Sequence, residues 1–335
     1  MPNLSQNGCS VWVTSSTELI KTPTAVALGK FDGVHRGHQR VIQPILHKPA
    51  DAEHIYPTVI TFEPHPQEFF TGKSRRLLTP VDEKVRHLEL LGVKQLVLIP
   101  FNKELAALTP EQFVEQIIVE KLQASRISVG QDFCFGSNRS GTAMDLQVLV
   151  AKYGIPVTIV PLETHEDDLP LIEEGTRIST SFIRQMLETG DVEKANRMLG
   201  RPYTLIGTVV KGQQLGRTIG FPTANLKLPE DKFLPRQGVY AVRVSDISQP
   251  DINPDINLNN HCGVMNIGDR PTVNGTHLTV EVHLLDFAED LYGKKLQIQL
   301  EKFLRQQQKF PSLEALKAQI QLDCTTARKF FSTAR

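Results

Sequence analysis

The hydrophobic pattern of the chain changes near Gly200, and this change limits the possible folds more than any other feature. Before it, from Thr24 to about Val160, buried strand-like runs alternate with helix-like runs, which is typical of a parallel sheet covered by helices. After it, short strands of alternating apolar and polar residues follow one another closely, which is typical of a small antiparallel barrel. We therefore predict an α/β plus all-β chain: a Rossmann-like domain with a parallel sheet, then a small antiparallel β-barrel with a terminal helix.

The predicted elements define two domains, residues 1–187 and 203–335, joined by a linker helix within residues 188–202. The sheet is expected to contain five strands: Thr24–Leu28, Thr58–Phe62, Gln95–Ile99, Arg126–Val129 and Val157–Val160. The barrel is expected to contain five more: Tyr203–Val210, Gly238–Ser245, His261–Asn266, Leu278–Leu284 and Leu296–Phe303. A helix from Ser312 should pack on the barrel through one apolar stripe: Leu313, Leu316, Ile320, Cys324 and Ala327.

Two helices of the first half have the same start signal, a threonine followed by proline. Thr79 and Thr109 are each expected to cap a helix, with the proline at the first helical position. The second of these also fits a capping box, because Gln112 stands three residues after Thr109.

Charge and composition exclude several classes of protein. Lys plus Arg equals Asp plus Glu at 37 each, so no long-range field favours a polyanion, which argues against a general nucleic-acid binder. The first 20 residues hold no Lys or Arg and no sustained apolar run, so we expect neither a signal peptide nor a membrane span, and a cytoplasmic protein. The four cysteines are scattered, which favours reduced packing residues over a zinc site or disulfides.

The stretch from Leu28 to His38 predicts a phosphate site. It reads as a buried strand, a glycine-bearing turn and the start of a helix, and free N–H groups at a helix N-terminus favour an anion. His35 and His38 lie three residues apart, so both can reach one phosphate if the first helical turn has begun. An ordinary polar loop is the alternative, but the predicted strand before the stretch and the predicted helix after it favour a phosphate site.

Polar groups also follow two other predicted strands. In an open α/β sheet the ligand lies beyond the carboxyl ends of the strands, and His65 follows the second strand there. Asp132, Phe133 and Phe135 follow the fourth strand and could offer a carboxylate and aromatic surface to a planar ring. A lone histidine in a loop is more often an exposed residue without a binding role, however, and the two phenylalanines could equally pack in the hydrophobic core. No G-x-G-x-x-G follows the first strand, which disfavours a dinucleotide-binding oxidoreductase.

A run of three hydroxyls precedes the last helix of the first half. Ser179, Thr180 and Ser181 are followed one turn later by Arg184, and hydroxyl and guanidinium groups both donate to phosphate oxygens. Helix capping is the simpler interpretation of the same residues.

Two stretches of the second half predict chemistry. The glycine-rich segment 212–225 suits a flap over phosphates, and Thr223 with Asn225 offers oxygen ligands suited to a hard cation such as Mg²⁺. A flexible hairpin is the alternative. On the strand Leu278–Leu284, strict alternation places Glu281 on the face opposite the apolar residues. If that face borders a pocket, Glu281 can take a proton from a substrate hydroxyl.

Taken together, these motifs resemble those of the bacterial bifunctional riboflavin kinase and FMN adenylyltransferase family, also called FAD synthetases. The first half holds F-D-G-V-H-R-G-H, T-F-E-P-H-P, V-G-Q-D-F-C-F-G and I-S-T-S-F-I-R, and the second holds G-R-T-I-G-F-P-T-A-N and V-E-V-H, in the family's order. The chain departs from the family pattern at I-S-T-S, where Ser and Thr are exchanged, at Met265, at Gln307 and in an insertion at 246–261.

The resemblance implies two activities: ATP-dependent phosphorylation of riboflavin to FMN in the barrel, and adenylylation of FMN by a second ATP to FAD and pyrophosphate in the first domain. It implies catalytic roles for Glu281, His35, His38 and Arg184, and Mg²⁺ at Thr223 and Asn225. The implied nucleotide-binding residues are Gly29, Phe31, Asp32, Gly33, His35, His38, Ser179, Thr180, Ser181, Arg184, Gly212, Gly216, Arg217, Thr223 and Asn225. The implied flavin-binding residues are His65, Asp132, Phe133, Phe135, Asn266, Arg270, Glu281 and Arg305.

Two alternatives are compatible with these motifs: a monofunctional enzyme with one inactive module, and a non-catalytic flavin or nucleotide sensor. A sensor need not keep a general base such as Glu281, which disfavours it. The expected partners are the small molecules riboflavin, FMN and ATP, with no nucleic acid and no membrane, and the oligomeric state does not follow from the sequence.

Overall fold

The computed structural model describes residues 10–47, 54–162, 177–212, 215–248, 258–272 and 275–333. The chain forms two compact units, Met1–Thr180 and Ser181–Arg335. The predicted boundary at residue 187 lies inside a helix of the second unit. Residues 249–257 of the insertion at 246–261 lie outside the described residues.

A six-stranded parallel sheet forms the first unit, in the order β1-β4-β3-β2-β5-β8. Its strands are β1 (Trp12–Thr14), β2 (Thr24–Leu28), β3 (Tyr56–Glu63), β4 (Gln95–Pro100), β5 (Ala124–Gly130) and β8 (Val157–Val160), and a short hairpin adds β6 (Cys134–Phe135) and β7 (Gly141–Thr142). All five predicted strands are confirmed. The short edge strand β1 was not predicted, because three residues carry too little periodicity to be recognised.

Helices cover both faces of this sheet. They are α1 (Arg36–Leu46), α2 (Pro66–Thr71), α3 (Val81–Leu91), α4 (Lys103–Ala107), α5 (Pro110–Phe113), which continues as a π-helical segment (Val114–Lys121), and α6 (Ala143–Ala151). Every residue of the central strand β2 is buried: Val26 and Leu28 belong to one core cluster, Ala25 and Ala27 to the other. Burial on both faces explains why this strand reads as a continuous apolar run.

The two threonine start signals have different outcomes. Thr109 caps α5 as predicted, with both bonds of a capping box present. The prediction for Thr79 is wrong, because Pro80 occupies the cap position of α3 and no side chain caps that helix. The hydroxyl of Thr79 accepts the N–H of Gly33 instead, at 2.9 Å, so a tertiary contact has replaced the local one.

The second unit is a closed antiparallel barrel in the order β10-β13-β12-β11-β14-β9. Its elements are α7 (Thr180–Thr189), α8 (Val192–Leu199), β9 (Tyr203–Val210), α9 (Leu215–Thr218), β10 (Ala224–Lys227), β11 (Gly238–Asp246), β12 (His261–Thr272), β13 (Gly275–Leu284), β14 (Lys295–Arg305) and α10 (Leu313–Thr333). The five predicted strands are confirmed. The sixth, β10, was missed because it has only four residues and its first two lie within the glycine-rich segment 212–225.

The terminal helix α10 packs on the outside of the barrel. Cys324, Ala327 and Phe331 are buried there, with Ile320 partly buried beside them. Leu313 was expected in the same stripe, but it is 58% exposed, since the apolar contact lies in the later turns and extends to Phe331. Within the described ranges, none of the helices combines the length and the apolar composition needed to cross a membrane. Cys134, Cys262 and Cys324 are free thiols, and Cys9 lies outside the described residues.

Candidate active sites

The loop between β2 and α1 has an unusual backbone. Phe31 and Val34 have positive φ angles of 46° and 43°, and Gly33 has 90°. A positive φ costs a residue other than glycine about 1–3 kcal/mol and persists only where the surroundings impose it. Here both side chains are buried, each 1% exposed. The ring of Phe31 folds back over Gly29, where a Cβ atom would lie 3.1 Å from it.

Two threonines from outside the loop, Thr79 and Thr180, fix it by three hydrogen bonds. The backbone N–H of Thr79 donates to the carboxylate of Asp32 at 3.1 Å, and the N–H of Gly33 donates to the Thr79 hydroxyl. The Thr180 hydroxyl donates to the carbonyl oxygen of Asp32 at 3.0 Å. The predicted hydroxyl motif therefore reaches the predicted phosphate loop, although 148 residues separate the two positions.

The two histidines of the loop stack on each other. Their ring centroids lie 3.6 Å apart and the planes are inclined by 16°. His35 caps α1, where its Nδ1 atom accepts the backbone N–H of His38 at 3.2 Å. A neutral His35 therefore carries its proton on Nε2, where it is a donor. Gly37 leaves room for this ring, since a Cβ atom there would lie 3.3 Å from it.

His65 lies at the carboxyl end of β3 as predicted, and it caps α2. Its Nδ1 accepts the N–H of Gln67 at 3.0 Å, while its own backbone N–H donates to the Glu68 carboxylate at 3.1 Å. Partial burial and the positive charges of Lys30 and Arg75 lower the pKa of His65 to about 4. The imidazole is therefore neutral at physiological pH, with its proton on Nε2.

The residues after β5 divide between a charged surface and the core. Asp132 forms an ion pair with Arg177. Phe133 stacks on Phe135 with centroids 5.8 Å apart, and Phe135 is only 6% exposed and packs against Phe113. Phe135 thus contributes to the core, as the alternative interpretation allowed, and its contact with a flavin remains a prediction, as do those of Asp132 and Phe133.

Sequence reasoning missed two groups at this edge of the sheet. One is basic: Lys30, Arg75 and Arg139, whose charges act on one another. The other is aromatic, a cluster of mutually tilted rings formed by Phe62, Phe69, Phe70 and Phe101. Phe70 is 70% exposed, so the cluster presents apolar surface to solvent. The only sequence signal was position, because Phe62 lies near the end of β3 and the other residues follow the ends of β2, β3, β4 and β5.

In the barrel, three predicted residues share one row across neighbouring strands. Glu281 on β13 lies directly opposite Asn225 on β10 and Asn266 on β12. Residues directly opposite in an antiparallel pair project from the same face, about 4.5–5.5 Å apart at Cβ. All three are partly exposed, whereas Val280 and Val282 on either side of Glu281 are buried. The predicted apolar face is therefore found at Val280, Val282 and Leu284, whereas Leu278, which was expected on the same face, is 40% exposed.

Thr223 joins this row from the segment before β10. Its hydroxyl lies 3.4 Å from the Glu281 carboxylate, in donor geometry. The preceding backbone is held by His283, whose Nδ1 lies 2.8 Å from the carbonyl oxygen of Pro222. Two glycines allow close approach here: a Cβ atom would lie 2.3 Å from the Asn225 amide at Gly212, and 2.3 Å from the Phe221 carbonyl oxygen at Gly216.

Arg305 lies at the end of the same row, opposite Val239, which in turn lies opposite Asn266. Its guanidinium group makes a two-pronged ion pair with Asp323 of α10, with contacts of 2.8–3.1 Å. A further N–H donates to the carbonyl oxygen of Gln306 at 3.0 Å. Arg305 therefore attaches α10 to the barrel, and its contact with a flavin remains a prediction.

The remaining predicted residues are less informative. The guanidinium group of Arg184 lies over the ring of Phe233, 4.7 Å from its centroid, and Ser181 is exposed while Ser179 is partly buried. The side chains of Arg217 and Arg270 lie outside the described part of the structure. Among the described residues, no group of three or more His, Cys, Asp or Glu side chains is placed to hold a metal ion.

Comparison with known families agrees with this division into two sites. The family model for FAD synthetase matches residues 17–170, and the family model for riboflavin kinase matches residues 199–331. Each match falls on one of the two candidate sites and the elements around it.

Relatives span nearly the whole chain. The bifunctional riboflavin kinase/FMN adenylyltransferase of Escherichia coli is 40% identical over 311 residues, covering 92% of this chain and 93% of that protein. The Bacillus subtilis protein of the same name is 36% identical and covers 97% and 99%. A solved structure from Streptococcus pneumoniae, described as a macrolide-efflux protein, has a TM-score of 0.80 at 30% identity over 95% of this chain and 99% of that one. The chain therefore belongs to the bifunctional riboflavin kinase/FMN adenylyltransferase family.

Proposed function

We propose that this protein converts riboflavin to FMN in the barrel and FMN to FAD in the parallel-sheet unit, using one ATP for each step. The observation that carries the proposal is that each unit assembles its own polar site from segments far apart in sequence. The first joins His35 and His38 to Thr180 through Asp32, and the second joins Thr223 and Glu281.

In the barrel, Glu281 is the proposed general base. It takes the proton of the riboflavin 5′-hydroxyl as the oxygen attacks the γ-phosphorus of ATP, and ADP leaves. The Thr223 hydroxyl, 3.4 Å away, holds the carboxylate in position and can turn toward a phosphate oxygen when substrate is bound. Asn225 and Asn266 flank Glu281 in the row and can orient the two substrates by hydrogen bonds.

Mg²⁺ suits this site by donor type, since Thr223 and Asn225 supply hard oxygen atoms and Mg²⁺ in kinases is held by few protein ligands together with substrate phosphates. Gly212 and Gly216 let the backbone approach Asn225 and Phe221 closely, which a Cβ atom at either position would prevent. When bound, the ion would neutralise phosphate charge.

In the parallel-sheet unit, positioning replaces acid–base chemistry. A phosphate oxygen of FMN attacks the α-phosphorus of ATP and pyrophosphate leaves, and because that oxygen is already anionic no protein base is required. The Nε2–H of His35 and the adjacent His38 would stabilise charge on the transferring phosphoryl group. Ser179 and Thr180 of the same unit would hold the β- and γ-phosphates.

The test is to incubate the purified protein with riboflavin, ATP and Mg²⁺ and to separate FMN and FAD by chromatography over time. We expect FMN first and FAD after it. FMN without FAD, even when FMN is supplied, would contradict the adenylyltransferase assignment. FAD from added FMN but none from riboflavin would contradict the kinase assignment, and no product from either flavin would favour a binding protein.

A further inference from the structure

Three strands bring basic side chains to one edge of the parallel sheet. β2 lies between β3 and β5, and the carboxyl ends of parallel strands meet at the same edge. Lys30 is the second residue after β2 and His65 the second after β3, while Arg139 lies in the turn that follows β5 and β6. The Thr61 hydroxyl of β3 donates to the carbonyl oxygen of Lys30 at 3.2 Å, which fixes the lysine backbone against that strand.

Several positive charges act on one another at this edge, and the carboxylates of Glu68 and Asp32 act on His65 beside them. Although Lys30 is an exposed residue, desolvation of its ammonium group together with the charges of Arg139 and Arg75 lowers its pKa, while Asp132 acts in the opposite direction. Asp132 is itself paired with Arg177. Within the described ranges, neither Lys30 nor Arg139 forms an ion pair. The positive charges of Lys30, Arg139 and Arg75 repel one another, so an added anion would stabilise this arrangement.

His65 adds an independent observation. Its Nδ1 is already occupied as the cap of α2, so the proton of the neutral ring is on Nε2. This Nε2 atom is buried, and none of the described residues makes a hydrogen bond with it. A buried donor without an acceptor is unfavourable by about 1–3 kcal/mol in the isolated protein, and a bound anion would satisfy it.

We propose that Lys30 and Arg139, together with Arg75 and the Nε2–H of His65, bind the phosphate monoester of the flavin substrate and so select FMN over riboflavin for adenylylation. This site is separate from the first turn of α1, where the nucleoside triphosphate is placed by the proposed function, on which this inference rests. Riboflavin lacks the phosphate, so it gains nothing from these cations. FMN would thereby bind the adenylylation site in preference to unphosphorylated flavin.

The kinetic test uses Lys30→Met and Arg139→Met in the full chain, with FMN and ATP varied separately. We expect the KM for FMN to rise at least tenfold in each variant while the KM for ATP changes less than twofold, and Lys30→Arg to restore most of the FMN affinity. Lys121→Met is the matched control, because this exposed lysine precedes β5 at the opposite edge of the sheet. Riboflavin phosphorylation should be unchanged in all four variants.

A second readout does not depend on turnover. The folded full-length protein is acetylated with a water-soluble ester and then digested, and mass spectrometry of the peptides gives the rate of acetylation at Lys30. Saturating FMN should lower this rate at least fivefold relative to the free protein, whereas riboflavin should leave it unchanged. Protection by ATP alone, or a rise in the KM for ATP instead of FMN, would assign the cluster to the triphosphate and overturn the inference. Equal protection by riboflavin and FMN would also overturn it. Absence of FAD formation by the unmodified protein would refute the proposed function instead.

Discussion

At the scale of single residues, Glu281 has the most specific surroundings in the barrel. It lies between two asparagines in one register row, within reach of the Thr223 hydroxyl. A carboxylate on the solvent side of a strand is usually only solvated, and its polar cross-strand neighbours on both sides distinguish this one. Register decided this arrangement, since the three residues are far apart in sequence.

We expect Glu281→Gln to lower the kcat of riboflavin phosphorylation about 10²–10⁴-fold, the range associated with loss of a general base. Glutamine has the same size, so the KM values and the stability should change little. Initial rates of FMN formation measure the effect, and Glu314→Gln on the exposed first turn of α10 is the control. If the Glu281→Gln variant kept the kcat of riboflavin phosphorylation, Glu281 would not be the general base.

Thr79 illustrates a residue whose role could not be predicted locally. We expect Thr79→Val to cost about 1–3 kcal/mol of stability, because the buried N–H of Gly33 loses its acceptor. The strained loop should relax, so the KM for ATP in FAD formation should rise while FMN formation is retained. Thr109→Val is the matched control: it removes a helix cap worth about 1 kcal/mol without touching the loop. Equal effects of the two substitutions on FAD formation would contradict this account.

At the scale of elements, α10 and the barrel are joined by a charged contact as well as an apolar one. Arg305 and Asp323 are 20% and 5% exposed, so their ion pair is largely removed from water. The sequence predicted the apolar stripe of α10 but not this pair, because two charged residues 18 positions apart carry no local signal. It also placed Leu313 in the stripe, where the structure exposes it.

We expect Asp323→Asn to destabilise the barrel unit by about 2 kcal/mol, since the guanidinium group of Arg305 loses its countercharge. Urea denaturation followed by fluorescence and far-ultraviolet circular dichroism measures this. The control is Asp286→Asn, which breaks the exposed pair with Arg328 and should have little effect. Equal destabilisation by both would show that burial of the Arg305 pair is unimportant.

The strand β11 ends in a second buried pair, between Asp246 and Lys294 at 2.7 Å. Burial by itself raises the pKa of Asp246, but hydrogen bonds from Lys294 and Ser248 and the lysine charge outweigh it, so the pKa is lowered from 3.8. A carboxyl with a lowered pKa stabilises the folded state above 3.8, and this contribution is lost as the pH falls through the folded value.

Asp246→Asn should therefore reduce stability at pH 7 and flatten the loss of stability between about pH 5 and pH 3. Urea midpoints measured at several pH values test this. A variant that keeps the full acid dependence of the parent would show that other carboxyl groups are responsible.

At the scale of the whole molecule, the two activities are assigned to separate compact units. We expect His38→Ala to reduce FAD formation at least 100-fold and to leave FMN formation within twofold. His38→Ala and Glu281→Gln proteins, each unable to make FAD from riboflavin, should make it when mixed, because FMN released by one can be used by the other. Loss of both activities in either folded variant, or no FAD from the mixture, would contradict the separation.

The sequence by itself determined what depends on neighbours along the chain. Hydrophobic periodicity and turn residues predicted ten strands, the cap at Thr109 and the two-domain organisation. Long motifs indicated the family and the site residues His35, His38, Thr223 and Glu281. The tertiary structure decided which distant residues meet: Thr79 with the phosphate loop, and Glu281 with two asparagines. It also brings Arg139 near enough to Lys30 for its charge to lower the pKa of the lysine. The physical reason is that periodicity reports which face of an element is buried, whereas strand order and register determine which polar groups share that face.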